Sequence, residues 1–155
     1  MITYSEFLNK LKEFEGLRLK AYKCPSGVLT IGYGHTHGVV CDMKITESIA
    51  ERLLSSDIDI VVCQLNSLLP APTCSALHVP LFYALVDFVF NVGFTKFKNS
   101  TLLKVLKTID FNKPLSNNDK NRLAIQFLRW TRSNGKVLKG LKARRSWEVS
   151  LFCND

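Results

Sequence analysis

The segment that decides the fold spans residues 15–35 and reads EGLRLKAYKCPSGVLTIGYGH. Several glycines and one proline interrupt it, and the β-prone piece Val28-Leu29-Thr30-Ile31 lies between them. Glycine and proline mark turns, whereas β-branched residues favour strands. The pattern therefore predicts small hairpins or a short sheet over residues 18–40, the only convincing β region of the chain.

Helical patterns flank this β region on both sides. Thr3 and Glu6 have the spacing of a capping box that opens a first helix, and Gly16 ends it. Thr46 caps a second helix, which ends at the segment Leu69-Pro70-Ala71-Pro72. Later helices are predicted over residues 79–92, 100–107 and 118–132 and through 144–151, separated by Gly93, Lys113-Pro114 and the Asn134-Gly135 turn.

Length and composition indicate a single folded domain. The chain has 155 residues, of which 46% are hydrophobic and 22% charged. This composition is ordinary for a globular protein and excludes disorder, a collagenous repeat and a coiled coil. We expect one domain over residues 1–155, with a β-containing lobe at roughly 16–45 and a helical lobe at roughly 75–155. A groove between two such lobes is a natural place for a ligand.

Charge and cysteine content narrow the class of partner and the compartment. Twenty-one Lys and Arg against thirteen Asp and Glu give a net charge of +8, which favours a binding partner such as nucleic acid, an acidic membrane face or a carboxylate-rich polymer.

The first twenty residues contain no uninterrupted apolar stretch, so we expect no cleavable signal and synthesis in the cytoplasm. The most apolar run, residues 79–90, is too short to span a membrane. Five cysteines without a CxxC pair do not indicate a disulfide framework.

Glu15 is the first candidate for chemistry. It lies at the end of the predicted first helix, where the negative end of the helix dipole disfavours a charged carboxylate, and this suits a proton donor. The alternative is an ordinary solvated glutamate.

Zinc is bound by histidine and cysteine, and the chain has four such residues close together in sequence: Cys24, His35, His37 and Cys41. Their spacing fits no recurring metal motif, so we predict no metal site.

The spacing of Glu15, Cys24 and Thr30 resembles the catalytic signature of phage-type lysozymes, glycoside hydrolase family 24. That signature is a Glu, eight residues, an Asp or Cys, five residues and a Thr, and both gaps match here. The resemblance continues along nearly the whole chain, through residues 88–93, Phe97, residues 100–103, 127–130 and 135–141, and the pair Arg144-Arg145.

The resemblance implies an α+β, lysozyme-like fold that is mainly α-helical, with a small β-hairpin lobe and an active-site cleft between lobes. It implies a muramidase that hydrolyses the β-1,4 bond between N-acetylmuramic acid and N-acetylglucosamine in bacterial peptidoglycan, without metal or other cofactor. Glu15 would protonate the glycosidic oxygen. Cys24 and Thr30 would hold a water molecule on the opposite face of the sugar, as in an inverting mechanism.

Cys24 stands where the family more often has Asp, and a thiol ionises near pH 8.5 rather than about 3.9. Three interpretations follow. The surroundings lower the pKa of Cys24 so that its thiolate acts as a base, or the enzyme works best at alkaline pH, or Cys24 attacks the anomeric carbon as a nucleophile. We favour the first; a buried, inert thiol is the alternative without chemistry.

Further residues take roles only through the resemblance. Phe90 and Ser100, with Asn91 between them in the chain, match positions that line the saccharide groove. His35 matches a hydrogen-bonding residue near the acid, and Arg144 is expected to pair with Glu15. The stretch 129–145 has seven Lys or Arg and no acid, so it is either a solvated basic face or a surface for the carboxylates of wall peptides, bound less tightly in salt.

The implied biological role is that of a phage or prophage endolysin, made in the host cytoplasm, released through a holin pore and acting on the cell wall or periplasm. We expect a monomer that binds peptidoglycan, without nucleic acid and without stable membrane insertion; an effector injected into rival bacteria is a second context. The alternative functions are a lytic transglycosylase, which needs only the acid, and a non-catalytic cell-wall-binding basic protein.

Overall fold

Seven α-helices and two short antiparallel sheets make up the described part of the chain, residues 2–70, 78–133 and 135–154 of a computed structural model. The described residues group into an N-terminal unit, Tyr4–Ile60, and a C-terminal unit that runs from Val61 onward and includes the first residues of the chain. Ala71, Pro72, Cys74 and Asn134, which figured in the sequence predictions, lie outside the described residues.

The N-terminal unit contains the predicted first helix and the predicted hairpin. Its elements are α1 (Tyr4–Glu15), β1 (Arg18–Lys23), β2 (Leu29–Gly32) and the first part of α2 (Glu47–Leu68). The strands pair antiparallel, with Tyr22 opposite Thr30. The predicted cap of α2 is present, since the Ile49 backbone N–H donates to Thr46 Oγ1 at 3.3 Å.

Glycine is needed where β2 packs on α2. Gly32 has a φ of +64°, and a β-carbon there would lie 3.5 Å from the side chains of Ala50 and Ile45. A larger residue would face both an unfavourable backbone conformation and a crowded contact. Gly32 therefore sets how closely the end of the hairpin approaches the start of α2.

The C-terminal unit is helical except for one small hairpin. Its elements are α3 (Val79–Val92), α4 (Phe94–Lys98), α5 (Thr101–Leu106), α6 (Asn117–Leu128), β3 (Arg132–Ser133), β4 (Lys136–Val137) and α7 (Lys139–Cys153). The predicted bounds of α3 are confirmed. Ser100 caps α5, because its Oγ accepts a hydrogen bond from the Leu103 backbone N–H at 3.1 Å.

Two predictions for this unit are wrong. The helix expected to reach residue 132 ends at Leu128, and the β region at 18–40 is not the only one, because Arg132–Ser133 pairs antiparallel with Lys136–Val137. Strands of two residues are too short for an alternating hydrophobic pattern, and the local signal for this hairpin was the Asn134-Gly135 dipeptide, which was interpreted as a turn between helices. Gly135, with a φ of +76°, provides the turn between them.

An aromatic cluster fills the core of the C-terminal unit. The Phe88 ring lies 5.1 Å from Phe127, 5.5 Å from Trp130 and 6.3 Å from Phe97, each in an edge-to-face arrangement, and Phe127 is 5.5 Å from Phe152. These residues come from α3, α4, α6, α7 and the segment after α6. The contacts of one phenylalanine therefore join most of the helices of this unit.

Among the described residues, no helix is both long and apolar enough to cross a membrane. The cysteines among them, Cys24, Cys41, Cys63 and Cys153, are free thiols.

Phe88→Ala is expected to lower the free energy of unfolding by about 3–5 kcal/mol, because it leaves a cavity at the centre of the aromatic cluster. Ile125→Ala is the matched control, since Ile125 is 60% exposed on α6 and its truncation should change the value by less than about 0.5 kcal/mol. Urea denaturation followed by circular dichroism measures both. Equal losses in the two variants would contradict the central role of Phe88.

Candidate active site

Glu15 is positioned by the end of α1 and by the loop that follows β2. The Gly16 backbone N–H donates to the Lys12 carbonyl at 2.9 Å, and Gly16 adopts a φ of +69°, which ends the helix at Glu15. A β-carbon on Gly34 would lie 3.5 Å from Glu15 Oε2. The carboxyl group of the half-buried Glu15 therefore lies close to Gly34.

Cys24 lies in the tight turn between β1 and β2. Its backbone N–H donates to the Val28 carbonyl at 2.9 Å, and its carbonyl accepts from the Gly27 N–H at 2.8 Å. The sulfur lies 2.9 Å from Ser26 Oγ. The Ser26 hydroxyl is the main cause that lowers the pKa of Cys24 to about 7, against an opposing effect of burial. The thiol is therefore ionised at a lower pH than an unperturbed cysteine.

Thr30 lies directly after this turn on β2 and is only 4% exposed. Its hydroxyl donates to the Val28 carbonyl at 3.1 Å. With its hydrogen directed to a carbonyl, Thr30 Oγ1 keeps lone pairs that can accept a hydrogen bond. The hairpin thus brings the two predicted residues Cys24 and Thr30 together.

His35 holds the loop after β2 to helix α2. Its Nδ1 lies 2.9 and 3.0 Å from the two carboxylate oxygens of Asp57, and its Nε2 lies 2.8 Å from the His37 carbonyl oxygen. A carboxylate and a carbonyl can only accept hydrogen bonds, so both ring nitrogens face acceptors. His35 is therefore a positioning residue with no nitrogen left for a metal ion.

No metal site is present among the residues that the structure describes, since no group of three or more His, Cys, Asp or Glu side chains is arranged to hold an ion. The four residues considered as zinc ligands from the sequence do not form such a group there.

Arg144 lies in the C-terminal unit, where it forms a buried ion pair with Asp87. Its Nε and Nη2 donate to the two carboxylate oxygens of Asp87 at 2.8 and 2.9 Å, and the side chains are 5% and 0% exposed. This bidentate geometry fixes the guanidinium plane. Asp87 is a partner that the sequence did not indicate, while the pairing of Arg144 with Glu15 stays a prediction.

Arg145 and Glu148 form a second buried pair beside the first. Arg145 Nη2 donates to Glu148 Oε1 at 2.6 Å and to Asn91 Oδ1 at 3.0 Å, and the Arg145 guanidinium lies over the Phe88 ring at 4.8 Å. Burial and the neighbouring Asp87 carboxylate raise the pKa of Glu148 well above its ordinary value. Glu148 is therefore stabilised in its neutral form.

Ser100 lines a cavity of about 620 Å³ in the C-terminal unit. The lining combines two cations, one indole ring and several hydroxyl and amide groups: Thr95, Lys96, Asn99, Ser100, Thr101, Gln126, Arg129 and Trp130. Ser100 itself is 6% exposed and its Oγ is occupied by the cap of α5. Phe90 is half-buried on α3 and is not part of this lining.

Comparison with known proteins identifies the family. Residues 12–148 match the family model described as Phage lysozyme. The chain belongs to the phage lysozyme family. Its membership agrees with the spacing of Glu15, Cys24 and Thr30, and it makes the protein a glycoside hydrolase of the lysozyme type.

Individual members of the phage lysozyme family support this assignment. The chain is 39% identical to the endolysin of Acyrthosiphon pisum secondary endosymbiont phage 1 over 92% of its own length and 91% of that protein. It is 40% identical to the endolysin of Bacillus phage B103, of which it spans about half, 51%. The solved muramidase domain of SpmX from Asticaccaulis excentricus is 32% identical, with a TM-score of 0.78 and coverage of 98% and 97% of the two chains.

These comparisons confirm the resemblance, the fold class and the general function inferred from the sequence. The fold is mainly helical with a small antiparallel hairpin, as in the solved lysozyme-like neighbours. The function is that of a phage endolysin of the lysozyme type.

Sequence reasoning missed Ser26, Asp57, Asp87 and Glu148. Ser26 is two residues from Cys24, so its proximity was available from the chain, but the direction of its side chain was not. Asp57 lies 22 residues from His35 and Asp87 lies 57 from Arg144, and such pairs exist only through the packing of separate elements. A buried Asp within the apolar run of α3 was the one signal for the Asp87 pair.

Glu148→Gln is expected to flatten the dependence of stability on pH. Because the pKa of Glu148 is raised in the folded protein, the free energy of unfolding falls as pH rises above the ordinary value of 4.5. Glutamine keeps an uncharged group of the same size, so this loss should disappear. Thermal unfolding from pH 4 to 8 measures it, with the exposed Glu13→Gln as control. Parallel curves for wild type and Glu148→Gln would contradict the neutral state of Glu148.

Proposed function

We propose that this phage lysozyme hydrolyses the β-1,4 bond between N-acetylmuramic acid and N-acetylglucosamine in bacterial peptidoglycan. In this proposal Glu15 is the general acid, the Cys24 thiolate is the general base and Thr30 positions the water. The observation that carries it is the turn in which the Ser26 hydroxyl, 2.9 Å from the sulfur, lowers the pKa of Cys24 to about 7, because it gives a thiol the ionisation that the base requires.

Glu15 acts first in this scheme. Its protonated carboxyl group donates a proton to the glycosidic oxygen while the bond from that oxygen to the anomeric carbon breaks and an oxocarbenium-like transition state forms. The end of α1 and the Gly34 backbone hold the carboxyl group in a half-buried position. This placement supports a group that is fixed in direction and accessible to a polymer.

The water attacks from the opposite face of the sugar. Thr30 Oγ1 accepts a hydrogen bond from this water, and the Cys24 thiolate takes the proton that the water loses as its oxygen bonds to the anomeric carbon. The product therefore has inverted configuration, Cys24 ends as a thiol and Glu15 as a carboxylate. Exchange of protons with solvent restores both groups.

A pKa of about 7 bears on the other two interpretations of Cys24. An enzyme limited to alkaline pH would follow from an unperturbed thiol, and the observed hydrogen bonds favour activity at neutral pH instead. Attack by the thiolate on the anomeric carbon would give retention through a covalent intermediate. The neighbouring Thr30, whose hydroxyl oxygen is free to accept from a water, favours the water-based route.

The C-terminal unit supplies the proposed binding groups for the polymer. Ser100 and the cavity that it lines offer an indole face, amides and two cations, a combination that suits acetylated sugars and peptide carboxylates. Phe90, half-buried on α3, is the proposed apolar contact with a sugar. Residues 78–155 hold 14 of the 21 Lys and Arg and five of the 13 Asp and Glu, so the positive charge is concentrated in this part of the chain.

The proposed setting is lysis of a bacterial host. The protein is made in the host cytoplasm, is released through a holin pore and acts on the cell wall as a monomer, without cofactor and without nucleic acid. His35 and Arg144 serve as supporting residues, the first by fixing the loop against which Glu15 lies. The alternatives, a lytic transglycosylase and a non-catalytic wall-binding protein, differ in their reaction products.

Glu15→Gln is expected to lower the rate of peptidoglycan hydrolysis by about 10²–10⁴-fold, because the amide cannot donate the catalytic proton. Glu13→Gln is the matched control, since Glu13 lies on the same helix, is exposed and pairs with Lys10. The measurement is digestion of purified peptidoglycan with mass spectrometry of the released fragments.

The chemical form of the muramic ends on the released fragments distinguishes a muramidase from a lytic transglycosylase. Reducing muramic ends that depend on Glu15 support a muramidase, whereas anhydro-muramic ends would show a transglycosylase. Equal activity of wild type and Glu15→Gln, or binding to the wall without any fragments, would contradict the proposed role of Glu15.

Cys24→Asp is expected to extend activity to lower pH. In the wild type the base is ionised only above its pKa of about 7, so kcat/KM falls on the acidic side of that value. An aspartate ionises near pH 3.9, which should move this limb of the profile down by about three pH units. Cys24→Ser is the control without an ionised base. An unchanged acidic limb in Cys24→Asp would contradict the proposed role of Cys24.

A further inference from the structure

The turn between β1 and β2 contains a second functional hydroxyl besides Thr30. We propose that Ser26 is a positioning residue of the catalytic site, which donates a hydrogen bond to the Cys24 sulfur and stabilises the thiolate that replaces the family's commoner carboxylate. This inference rests on the proposed function, because it assigns Ser26 a role through Cys24.

The backbone of the turn fixes the distance between the two side chains. Hydrogen bonds from Cys24 N–H to Val28 and from Gly27 N–H to Cys24 close the turn at 2.9 and 2.8 Å. Pro25 restricts the backbone between Cys24 and Ser26, and Gly27 supplies a φ of +83°, which residues other than glycine rarely adopt. The separation of 2.9 Å between Sγ and Oγ is thus set by a short, constrained segment.

The chemistry of the two groups sets the direction of this hydrogen bond. A thiolate can only accept, whereas a serine hydroxyl donates readily, and a hydrogen bond to an ionised group is roughly twice as strong as one between neutral groups. A neutral thiol is a weak donor and a weak acceptor. The contact therefore stabilises the ionised form of Cys24 more than the neutral form.

Ser26 outweighs the other groups around the sulfur. The Ser26 hydroxyl does most to lower the pKa of Cys24, the backbone of Ser26 and Val28 lowers it further, and burial opposes these effects. A hydrogen-bond donor 2.9 Å from the sulfur therefore favours the thiolate at this position.

The test measures the ionisation of Cys24 without relying on activity. The intact protein is alkylated with iodoacetamide between pH 5 and 10, and peptide mass spectrometry separates Cys24 from the other four cysteines. We expect a midpoint near pH 7 in the wild type and about one pH unit higher in Ser26→Ala, which lowers the alkylation rate about tenfold at pH 6. Ser26→Thr retains the hydroxyl and should restore the wild-type midpoint.

Val28→Ala is the matched control for disturbance of the turn. Val28 is 47% exposed in the same turn, and its side chain contributes no hydrogen bond to the sulfur. The alkylation midpoint of Cys24 should therefore stay at the wild-type value in Val28→Ala. An equal shift in Ser26→Ala and Val28→Ala would overturn the inference, as would an unchanged midpoint in Ser26→Ala.

The pH profile of kcat/KM then separates failure of this inference from failure of the proposed function. In Ser26→Ala the acidic limb of the profile should move to higher pH by the same amount as the alkylation midpoint. It should not move when Ser26→Ala is added to Cys24→Asp, because the aspartate does not need the hydroxyl to ionise. A shifted alkylation midpoint with an unchanged pH profile would overturn the role of Cys24 as base, and with it the role of Ser26 in catalysis.

Discussion

A buried cluster of four polar side chains from α3 and α7 is the constraint on which the C-terminal unit depends. Asp87 receives two hydrogen bonds from Arg144, and Arg145 donates to Glu148, all with side chains that are at most 5% exposed. A buried charge without its partner costs about 3–5 kcal/mol, so the ion pair of Asp87 with Arg144 ties α7 to α3. The Phe88 ring, which packs under Arg145, belongs to the same arrangement.

The candidate site in the N-terminal unit depends on shorter-range interactions. Cys24, Ser26 and Thr30 come from one turn of seven residues, and backbone hydrogen bonds bring their side chains together. A local arrangement of this kind needs little help from distant parts of the chain. The loop that borders Glu15 is different, because it is held to α2 by the pairing of His35 with Asp57.

Much of the fold could be predicted because its signals are local. The first helix ends at Gly16 because glycine readily takes the left-handed conformation found there, and α3 has the predicted bounds because Gly93 follows an apolar helical run. The end of α6 was missed, since the sequence through residue 132 still suits a helix. Arg132–Ser133 instead pairs with Lys136–Val137, and the Asn134-Gly135 dipeptide, a typical sequence for a hairpin turn, was the local signal for this pairing.

The candidate site could likewise be predicted from the sequence only in part. The spacing of Glu15, Cys24 and Thr30 predicted the candidate catalytic residues, and the two later members lie close together because a tight turn joins two paired strands. The ionisation of each group could not be predicted from the sequence, because a pKa depends on the burial of the group and on the hydrogen-bond donors around it.

The sequence by itself determined the family, the enzyme class and the candidate catalytic positions, because these are carried by residue types at fixed separations along the chain. The tertiary structure decided which charges are buried in pairs, that Glu148 is stabilised as a neutral acid, and that His35 is bound to Asp57. It also decided that the Cys24 sulfur lies beside the Ser26 hydroxyl. Each of these depends on the direction of a side chain in three dimensions, and separation along the chain does not specify that direction.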